Sequence, residues 1–306
     1  MADITVIGGI NIDIEGSPFR PLVMGDSNPG QIRLSFGGVG RNIAENAVRA
    51  GGHVAMISVV GDDFMGQSAV RHLSELGVDI RGILTLKGKT SSMYLSLLNH
   101  QHDMELAVSD MEILDALTAE VLRSSEELLA ASKTVALDGN LDEELLGQAI
   151  AMLKGKKLFF DPVSANKAVK GKKHIGSFYA IKPNRIEAEV LSGISIETEK
   201  DLHRAADWFL AQGVKQVFIT LNRDGVFFCD EMSRGFIRPK AVNLVSATGA
   251  GDSFSAMILL GMAEGRSIEE TAEMGMAAAS VAMESPSAVN EKLNREEIMR
   301  RMKQHV

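Results

Sequence analysis

The stretch SATGAGDSF occupies residues 246–254 and leads into the apolar run Ala256–Ala263. Closely spaced glycines ahead of such a run predict a tight turn that opens a helix. Small residues in the turn allow consecutive backbone N–H groups to converge on an anion at the positive end of the helix dipole. The stretch therefore predicts an anion hole, with the carboxylate of Asp252 directly beside it.

The position of Asp252 allows two interpretations. A carboxylate next to a bound phosphoryl group is where a base for a hydroxyl nucleophile belongs. The same aspartate could simply cap the helix while the glycines form a tight turn. The local sequence favours neither interpretation over the other.

Outward from this stretch, short apolar runs alternate with amphipathic stretches along most of the chain. This alternation predicts an α/β fold, in which helices cover a parallel sheet. The predicted strands are Ile4–Gly9, Val54–Val60, Thr134–Leu137, Leu158–Asp161, Phe178–Ile181 and Gln216–Leu221. The predicted helices are Arg41–Ala50, Gln67–Leu76, Glu143–Leu153, Ile186–Leu191 and Asp201–Ala211.

Two segments interrupt this alternation, at residues 12–36 and 90–107. The first is rich in Gly, Pro, Ser and Asn, and the second alternates apolar and polar residues as a strand does. We expect both to form β-ribbons outside the main sheet. They could pair into one small sheet that acts as a lid or as a dimer contact.

The composition excludes several classes of protein. The 306 residues include 32 Lys and Arg against 40 Asp and Glu, and the resulting net charge of −8 repels the phosphates of nucleic acids. The single cysteine, Cys229, cannot form an internal disulfide and indicates a reducing compartment. Residues 1–9 do not look like a targeting leader, and no apolar run approaches the roughly 20 residues that span a bilayer. We therefore expect a cytoplasmic protein with no nucleic-acid or membrane partner.

Polar residues follow the first predicted strand, where parallel sheets place their ligand-binding loops. The side chains of Asn11 and Asp13 could bond sugar hydroxyls, although Asn and Asp are also ordinary turn formers. A second glycine-rich turn contains Gly37 and Gly38 and leads to Asn42. It could bring the backbone close to a ligand, or it could only be a crowded turn between a strand and a helix.

Asn184 and Glu187 lie three residues apart at a predicted helix start, so that both side chains can face one cleft. Magnesium keeps several of its waters and needs few protein ligands, so this pair could hold it through water. The same spacing is that of a helix-capping box. Taken alone, the pair is better explained by capping.

The chain resembles the ribokinase-like (PfkB) family of sugar and nucleoside kinases in the order and separation of three features. These are Gly37-Gly38, the Asn184–Glu187 pair and residues 248–252. The resemblance extends over essentially the whole chain, and Gly-Ala-Gly-Asp is its most specific part. It implies a single three-layer α/β/α domain over residues 1–306. The central sheet of that domain would be mostly parallel, with a small β-sheet lid from residues 12–36 and 90–107.

The resemblance also implies phosphoryl transfer from ATP to a sugar 5′-hydroxyl, with Asp252 taking the hydroxyl proton. The backbone of Gly249, Ala250 and Gly251 would stabilise the charge on the moving group. Asn184 and Glu187 would hold Mg²⁺ through water. ATP would lie along Asn184, Thr220, Gly225, Gly249 and Gly251.

By the same resemblance, the ribose would be held by Asn11, Asp13, Gly38, Asn42 and Asp252. Residues 26–30, together with residues 37–46, resemble the pseudouridine kinases within the family. This implies that Ser27 and Asn28 on the lid read the polar edge of a uracil-like base. A kinase of the same family for ribose or another nucleoside is one alternative, and a non-catalytic sugar or nucleoside sensor is an alternative of a different class.

Ser246 is a departure from the family pattern. Many relatives carry an aspartate six residues before the catalytic one, tied to a monovalent-cation site. A hydroxyl supplies less charge than a carboxylate, so we expect little activation by potassium.

The predicted small sheet would have one apolar face and little stability by itself. We therefore expect its strands to pair between two subunits, which predicts a homodimer.

Overall fold

The structure is a computed structural model that describes residues 2–101, 103–239 and 244–303. In chain order its helices and strands are β1 (Ile4–Ile7), β2 (Asn11–Pro18), β3 (Gly30–Gly37), α1 (Val39–Arg49), β4 (Val54–Gly61), α2 (Phe64–Glu75), β5 (Asp79–Leu86), β6 (Met93–Leu98), β7 (Met104–Asp110), α3 (Ala119–Ser124), α4 (Glu126–Ala131), β8 (Thr134–Asp138), α5 (Glu143–Met152), β9 (Lys157–Asp161), α6 (Ala165–Gly171), β10 (Ala180–Ile181), α7 (Arg185–Ser192), α8 (Glu199–Gln212), β11 (Gln216–Thr220), β12 (Val226–Cys229), β13 (Arg234–Ile237), α9 (Ala250–Glu264), α10 (Ile268–Ala282) and α11 (Arg295–Lys303).

A central sheet of nine strands has the order β13-β12-β11-β10-β9-β8-β1-β4-β5. Its neighbours run parallel from β11 to β5, whereas β12 and β13 are antiparallel. The predicted α/β fold with a mostly parallel sheet is therefore confirmed. Because parallel strands end at the same edge, the loops after β1, β8, β9, β10 and β11 meet there.

Helices cover both faces of the central sheet. Phe159 and Phe160 are neighbours in β9 and both are buried, but they pack into opposite cores. The core around Phe159 contains residues of α1, α9 and α10, and the core around Phe160 contains residues of α5, α7 and α8. Strands buried on both faces need apolar side chains on both, which explains the continuous apolar runs in the sequence. The three-layer α/β/α architecture is confirmed.

The two segments that interrupt the alternation pair with each other in a small sheet of four strands, with the order β3-β2-β6-β7. β2 and β6 lie parallel, with Asp13 beside Tyr94. The second hairpin begins at Met93, later than the predicted residue 90. Just before it, Ser91 is tied to the central sheet, because its hydroxyl accepts a hydrogen bond from the backbone N–H of Gly61 over 2.9 Å. The hairpin also ends later, at Asp110.

The small sheet has one apolar and one polar face, because side chains alternate along each strand. The strand register places Ile14, Ile32, Leu34, Leu95, Leu97, Leu106 and Val108 on the apolar face. It places Asn11, Asp13, Glu15, Arg33, Ser35 and Tyr94 on the polar face. Ile32 is 77% exposed, so the apolar face is open in the single chain.

The predicted helices all occur, with ends that shift by no more than three residues. The largest shift is at α2, where the side chain of Asp63 caps the helix by accepting from the N–H of Gly66. The sequence pattern does not predict β5, β12 or β13, since β5 is a partly exposed edge strand and the other two have only four residues each.

Across the described residues, every helix falls short of the length and apolar character that crossing a bilayer requires.

Candidate active site

A cavity of about 560 Å³ opens at the carboxyl edge of the central sheet. This volume suits a small-molecule ligand. Its polar and glycine lining consists of Asp161, Lys182, Asn184, Glu187, Thr220, Asn222, Arg223, Gly225, Gly251 and Asp252. Its apolar lining includes Val39, Leu244, Phe254, Met276, Ala279 and Met283.

The predicted anion hole is a turn that opens α9. Gly249 caps the helix in the left-handed conformation, with φ of 79°. A side chain at Gly249 would overlap the carbonyl oxygen of Ala288, so the turn requires glycine. Among the described residues no side chain caps this helix. The N–H of Ala250 donates to the carbonyl of Ala247 at 3.4 Å, whereas those of Gly251 and Asp252 have no partner among the described residues and are available to an anion in the cavity.

Asp252 lies in the first turn of α9, and the helix is capped by Gly249 rather than by this aspartate. Its Oδ2 accepts a hydrogen bond of 2.6 Å from Nδ2 of Asn42. Burial disfavours the carboxylate form and the charge of Asp161 repels it, and together these effects raise the pKa of Asp252 to about 7. The hydrogen bond from Asn42 and the charge of Lys182 oppose this rise but do not cancel it. A carboxylate with such a pKa can accept a proton at neutral pH.

Arg41 connects Asp252 to the small sheet. Its buried guanidinium pairs with Glu45 and contacts Oδ1 of Asn42. Because Oδ1 of Asn42 faces Arg41, its Nδ2 is left to face Asp252. The positive charge of Arg41 also acts on Asp13, and it lowers the pKa of both aspartates against the larger effect of burial.

Asn11 and Asp13 begin β2 on the polar face of the small sheet. Nδ2 of Asn11 donates to Oδ1 of Asp13 over 2.5 Å. Burial raises the pKa of Asp13 to about 6, although Arg41 and Asn11 lower it. A side chain at Gly37 would overlap the carboxylate of Asp13, and one at Gly38 would crowd Oδ1 of Asn11. The paired glycines thus allow a close approach of the backbone to these two side chains.

Asn184 and Glu187 form a capping box at the start of α7. Oδ1 of Asn184 accepts from the N–H of Glu187 at 2.9 Å, and the carboxylate of Glu187 accepts from the backbone N–H and the Nδ2 of Asn184, both at 2.8 Å. Both residues also border the cavity. Burial raises the pKa of Glu187, while the backbone N–H of Asn184 and the charge of Lys182 lower it. Capping and a role in the site are therefore compatible.

Thr220 and Gly225 lie on the same side of the cavity as Asn184. Thr220 ends β11 in a β-bridge with Asn184. Gly225 has φ of 96°, and a side chain there would overlap the carbonyl oxygen of Ile237. Both residues border the cavity.

Asp161 and Lys182 form a buried ion pair at the ends of β9 and β10, with 3.3 Å between Oδ2 and Nζ. Oδ2 of Asp161 also accepts a hydrogen bond of 2.6 Å from the hydroxyl of Ser255 in α9. Its Oδ1 accepts from the backbone N–H of Val163 at 3.1 Å. The pair is absent from the predicted site, because sequence reasoning does not show that two strand ends on the central sheet place opposite charges side by side.

Asp138, at the end of β8, is a second buried carboxylate that the sequence analysis does not single out. It accepts hydrogen bonds from the N–H groups of Gly9, Gly40 and Asn140, at distances between 2.9 and 3.1 Å. Burial raises the pKa of Asp138 in spite of these bonds. The carboxylate thereby joins the loop after β1 to the first turn of α1. Nζ of Lys167 lies 2.5 Å from Oδ1 of Asn140, so this lysine approaches the same loops.

Ser27 and Asn28 lie in the loop between β2 and β3, and they are not among the residues that line the cavity. The amide group of Asn28 exchanges hydrogen bonds with the backbone N–H and carbonyl of Val23, at 2.8 and 3.0 Å. It also donates to the carbonyl of Asp26. These bonds give Asn28 a role in shaping the loop, and its role toward a base stays a prediction.

The structure brings most of the predicted site residues together. Asn184, Glu187, Thr220, Gly225, Ala250, Gly251 and Asp252 line one cavity. Asn42 bonds directly to Asp252, and Asn11, Asp13 and Gly38 adjoin it through Arg41. Arg41 itself begins the predicted helix Arg41–Ala50, directly after the glycine-rich turn, but its link to Asp252 and Asp13 was not predicted.

A carboxylate beside an open helix amino terminus, in a cavity at the carboxyl edge of a parallel sheet, is an arrangement that suits phosphoryl transfer to a hydroxyl group. The chain belongs to the pfkB family of carbohydrate kinases, whose family model matches residues 1–294. It is 36% identical over 281 residues to the pseudouridine kinase of Escherichia coli strain K12, covering 92% of this chain and 90% of that relative. It is 30% identical over 284 residues to the guanosine-inosine kinase of Exiguobacterium acetylicum, covering 92% of this chain and 94% of that relative. The solved structure of Arabidopsis thaliana ribokinase, complexed with ribose and ATP, superposes with a TM-score of 0.84 at 20% identity and covers 99% of both chains.

Proposed function

We propose that this protein transfers the γ-phosphoryl group of ATP to the ribose 5′-hydroxyl of pseudouridine, with Asp252 as the base. The observation that carries the reaction type is the position of Asp252, in the first turn of the helix whose open amino terminus faces the same cavity. Support for the substrate comes from the pseudouridine kinase that is 36% identical to this chain over 92% of its length.

The proposed reaction is a single in-line displacement. The proton of the 5′-hydroxyl passes to the carboxylate of Asp252, the hydroxyl oxygen bonds to the γ-phosphorus, and the bond to the β–γ bridging oxygen breaks to release ADP. The first amides of α9 receive the negative charge of the moving group. Asn42 holds Oδ2 of Asp252 through its 2.6 Å hydrogen bond, which leaves Oδ1 for the hydroxyl.

The residues beside the cavity fit a magnesium ion held through water. Glu187 offers a carboxylate at the cavity wall, and its pKa is raised because burial disfavours the charge that a nearby cation would stabilise. Hard oxygen ligands of this kind suit Mg²⁺, which keeps most of its waters. When bound, the ion neutralises charge on the phosphates. Asn184 and Glu187 would accept hydrogen bonds from its waters.

The acceptor would lie between Asp252 and the polar face of the small sheet. Asp13 and Asn11 present a carboxylate and an amide there, and these groups can bond vicinal hydroxyls. We assign the base to the loop of Ser27 and Asn28 on the resemblance of residues 26–30 to the pseudouridine kinases. This loop lies at the other end of the β2–β3 hairpin from Asn11 and Asp13.

The test is coupled ADP release with ATP and magnesium, with pseudouridine, uridine, cytidine, inosine, adenosine, ribose and fructose compared at equal concentration. Preference for pseudouridine is the expected result. Preference for another acceptor would retain the kinase reaction and discard the assignment of the base. Turnover of none, with acceptor binding retained, would identify a sensor instead of an enzyme.

We also propose that the protein is a homodimer joined through the apolar faces of two small sheets. That face contains apolar side chains from all four strands, and monomeric proteins rarely leave such a continuous surface open. A two-fold interface pairs the same patch on both subunits, which this face allows. Light scattering should give a dimer mass at micromolar concentration, and Leu106→Glu should give a monomer. A monomer mass for the unchanged protein would contradict the proposal.

A further inference from the structure

Lys182 is a buried cation that the proposed reaction has so far left without a role. It is only 6% exposed, yet it lines the cavity together with Asp252 and Gly251. Lysine is almost never buried to this extent unless something pairs with it. Among the described residues, the carboxylate of Asp161, at 3.3 Å, is the one ion-pair partner of its ammonium group. An ammonium group has three N–H donors, so that single partner leaves donors for a ligand.

Asp161 does not depend on Lys182 for its own hydrogen bonds. Its oxygens already accept from the hydroxyl of Ser255 and the backbone N–H of Val163. Its ion pair with Lys182 is therefore an addition to a carboxylate whose two oxygens are already hydrogen-bonded.

The ammonium group lies beside the anion turn. Nζ is 3.5 Å from the point that a Cβ on Gly251 would occupy. The first amides of α9 and a full positive charge therefore converge on one place in the cavity. Each favours an anion, and a phosphoryl group is the anion that a hydroxyl phosphotransferase brings there.

Lys182 stands among acidic side chains. Asp161, Glu187 and Asp252 line the same cavity, and Arg223 is the other basic side chain in its lining. Acidic side chains therefore outnumber basic ones at the cavity wall, so that an entering phosphate depends on the few positive groups present.

We propose that Lys182 is a catalytic residue that binds the γ-phosphoryl group while it moves from nucleotide to acceptor, and that Asp161 positions its ammonium group. This rests on the proposed kinase function. Lys182 exchanges no proton in the step, since the hydroxyl proton passes to Asp252 and the bond to the bridging oxygen of ADP breaks as the new phosphorus–oxygen bond forms.

The first experiment compares nucleotide binding by calorimetry, with magnesium present, for the unchanged protein and Lys182→Met. The affinity for AMP-PNP, which carries a γ-phosphoryl group, should fall about tenfold, because a charge-assisted bond is lost. The affinity for ADP should remain within about twofold, the scatter expected when no contact is lost. Lys156→Met is the matched control. That lysine bonds to the carbonyls of Ala130 and Ser132 at the opposite edge of the central sheet, so neither affinity should change.

The second experiment separates catalysis from folding. Lys182→Met alone leaves a buried carboxylate without its cation and should lower thermal stability, whereas adding Asp161→Asn removes both charges and should restore much of it. In both the single and the double variant, kcat should remain about 10²- to 10³-fold below that of the unchanged protein, which is the usual loss for a group that stabilises the moving charge. Recovery of kcat together with stability would overturn the proposal, and so would equal losses of AMP-PNP and ADP affinity.

The two proposals fail in different ways. An unchanged protein that binds neither nucleotide and releases no ADP would overturn the kinase function, and the role of Lys182 with it. An active unchanged protein whose Lys182→Met variant keeps its kcat would overturn only the role of Lys182.

Discussion

The proposed active site combines two regions that are built from different sheets. The chemical region lies where β9, β10 and β11 end and α9 begins, among strands that are buried on both faces. The proposed acceptor region lies on the polar face of the small sheet, whose other face is open in the single chain. Rigid, buried elements hold reacting groups with little freedom, whereas an exposed sheet can vary its side chains at lower cost. Changes in the chemical region should therefore lower kcat with every acceptor, and changes in the acceptor region should alter KM and the choice of acceptor.

The largest effect should follow from Asp252→Asn. The amide keeps the shape of the side chain but cannot take the hydroxyl proton, so kcat should fall by about 10³-fold with every acceptor that the enzyme uses. Acceptor binding, measured by calorimetry without ATP, should remain within a fewfold of the original. A kcat within tenfold of the unchanged enzyme would show that another group removes the proton.

The counterpart in the acceptor region is Asp13→Asn. Loss of a charged acceptor of hydrogen bonds should raise KM for the nucleoside by about tenfold or more, while kcat at saturation changes little. Glu15→Gln is the matched control, since it makes the same chemical change on the same face one step further along β2. If Asp13→Asn reduced kcat as strongly as Asp252→Asn, the division between the two regions would be wrong.

The pH dependence should be set mainly by the chemical region. The pKa of Asp252 is raised to about 7, so its fraction in the carboxylate form falls as the pH drops below that value. The value of kcat/KM should decrease about tenfold per pH unit on the acid side and level off above neutrality. Asp13, whose pKa is raised to about 6, adds a second, lower step. Asp13→Asn should remove that lower step and leave the step near neutrality in place. A decrease of kcat/KM that began only below pH 5 would contradict the assignment of Asp252.

A smaller effect should come from the loop that joins β2 to β3. Ser27→Ala and Asn28→Ala should raise KM for pseudouridine severalfold, by the loss of one neutral hydrogen bond each, and should leave KM for free ribose unchanged. Asn28 also shapes its own loop through Val23 and Asp26, so Ser27→Ala is the cleaner of the two variants. Equal effects on both acceptors would remove these residues from base recognition.

The smallest effect should be that of potassium. Ser246 has a hydroxyl where the family resemblance would place a carboxylate, and that hydroxyl already accepts from the backbone N–H of Thr248 at 3.1 Å. Exchanging sodium for potassium should change kcat by less than about twofold, because a neutral oxygen holds a cation weakly. Ser246→Asp should make the enzyme more sensitive to the exchange. A large gain with potassium in the unchanged enzyme would show that other groups supply the cation site.

The contrast between the two regions also explains what the sequence could predict. Residues close together in the chain were predictable, because the anion turn at Gly249 and the capping box of Asn184 and Glu187 each have a local signature. The ion pair of Asp161 and Lys182 was not, since it forms only when two strands of the central sheet end side by side.

The small sheet was predictable only in part. Its existence follows from the two segments that interrupt the α/β alternation, the second of which alternates apolar and polar residues. The start of its second hairpin, however, depends on Ser91, which is held by the central sheet. The four-residue strands β12 and β13 were hidden for a simpler reason, because so short a run shows no period.

The most direct test of the central claim is the position of the phosphate in the product. The enzyme should be incubated with pseudouridine, ATP and magnesium, and the product examined by phosphorus NMR with proton coupling. Transfer to the 5′-hydroxyl predicts a new phosphomonoester signal split into a triplet by the two 5′ protons, in equal amount to the ADP formed. A doublet, which marks a phosphate on a ring carbon, or ADP formed with inorganic phosphate alone, would contradict the account.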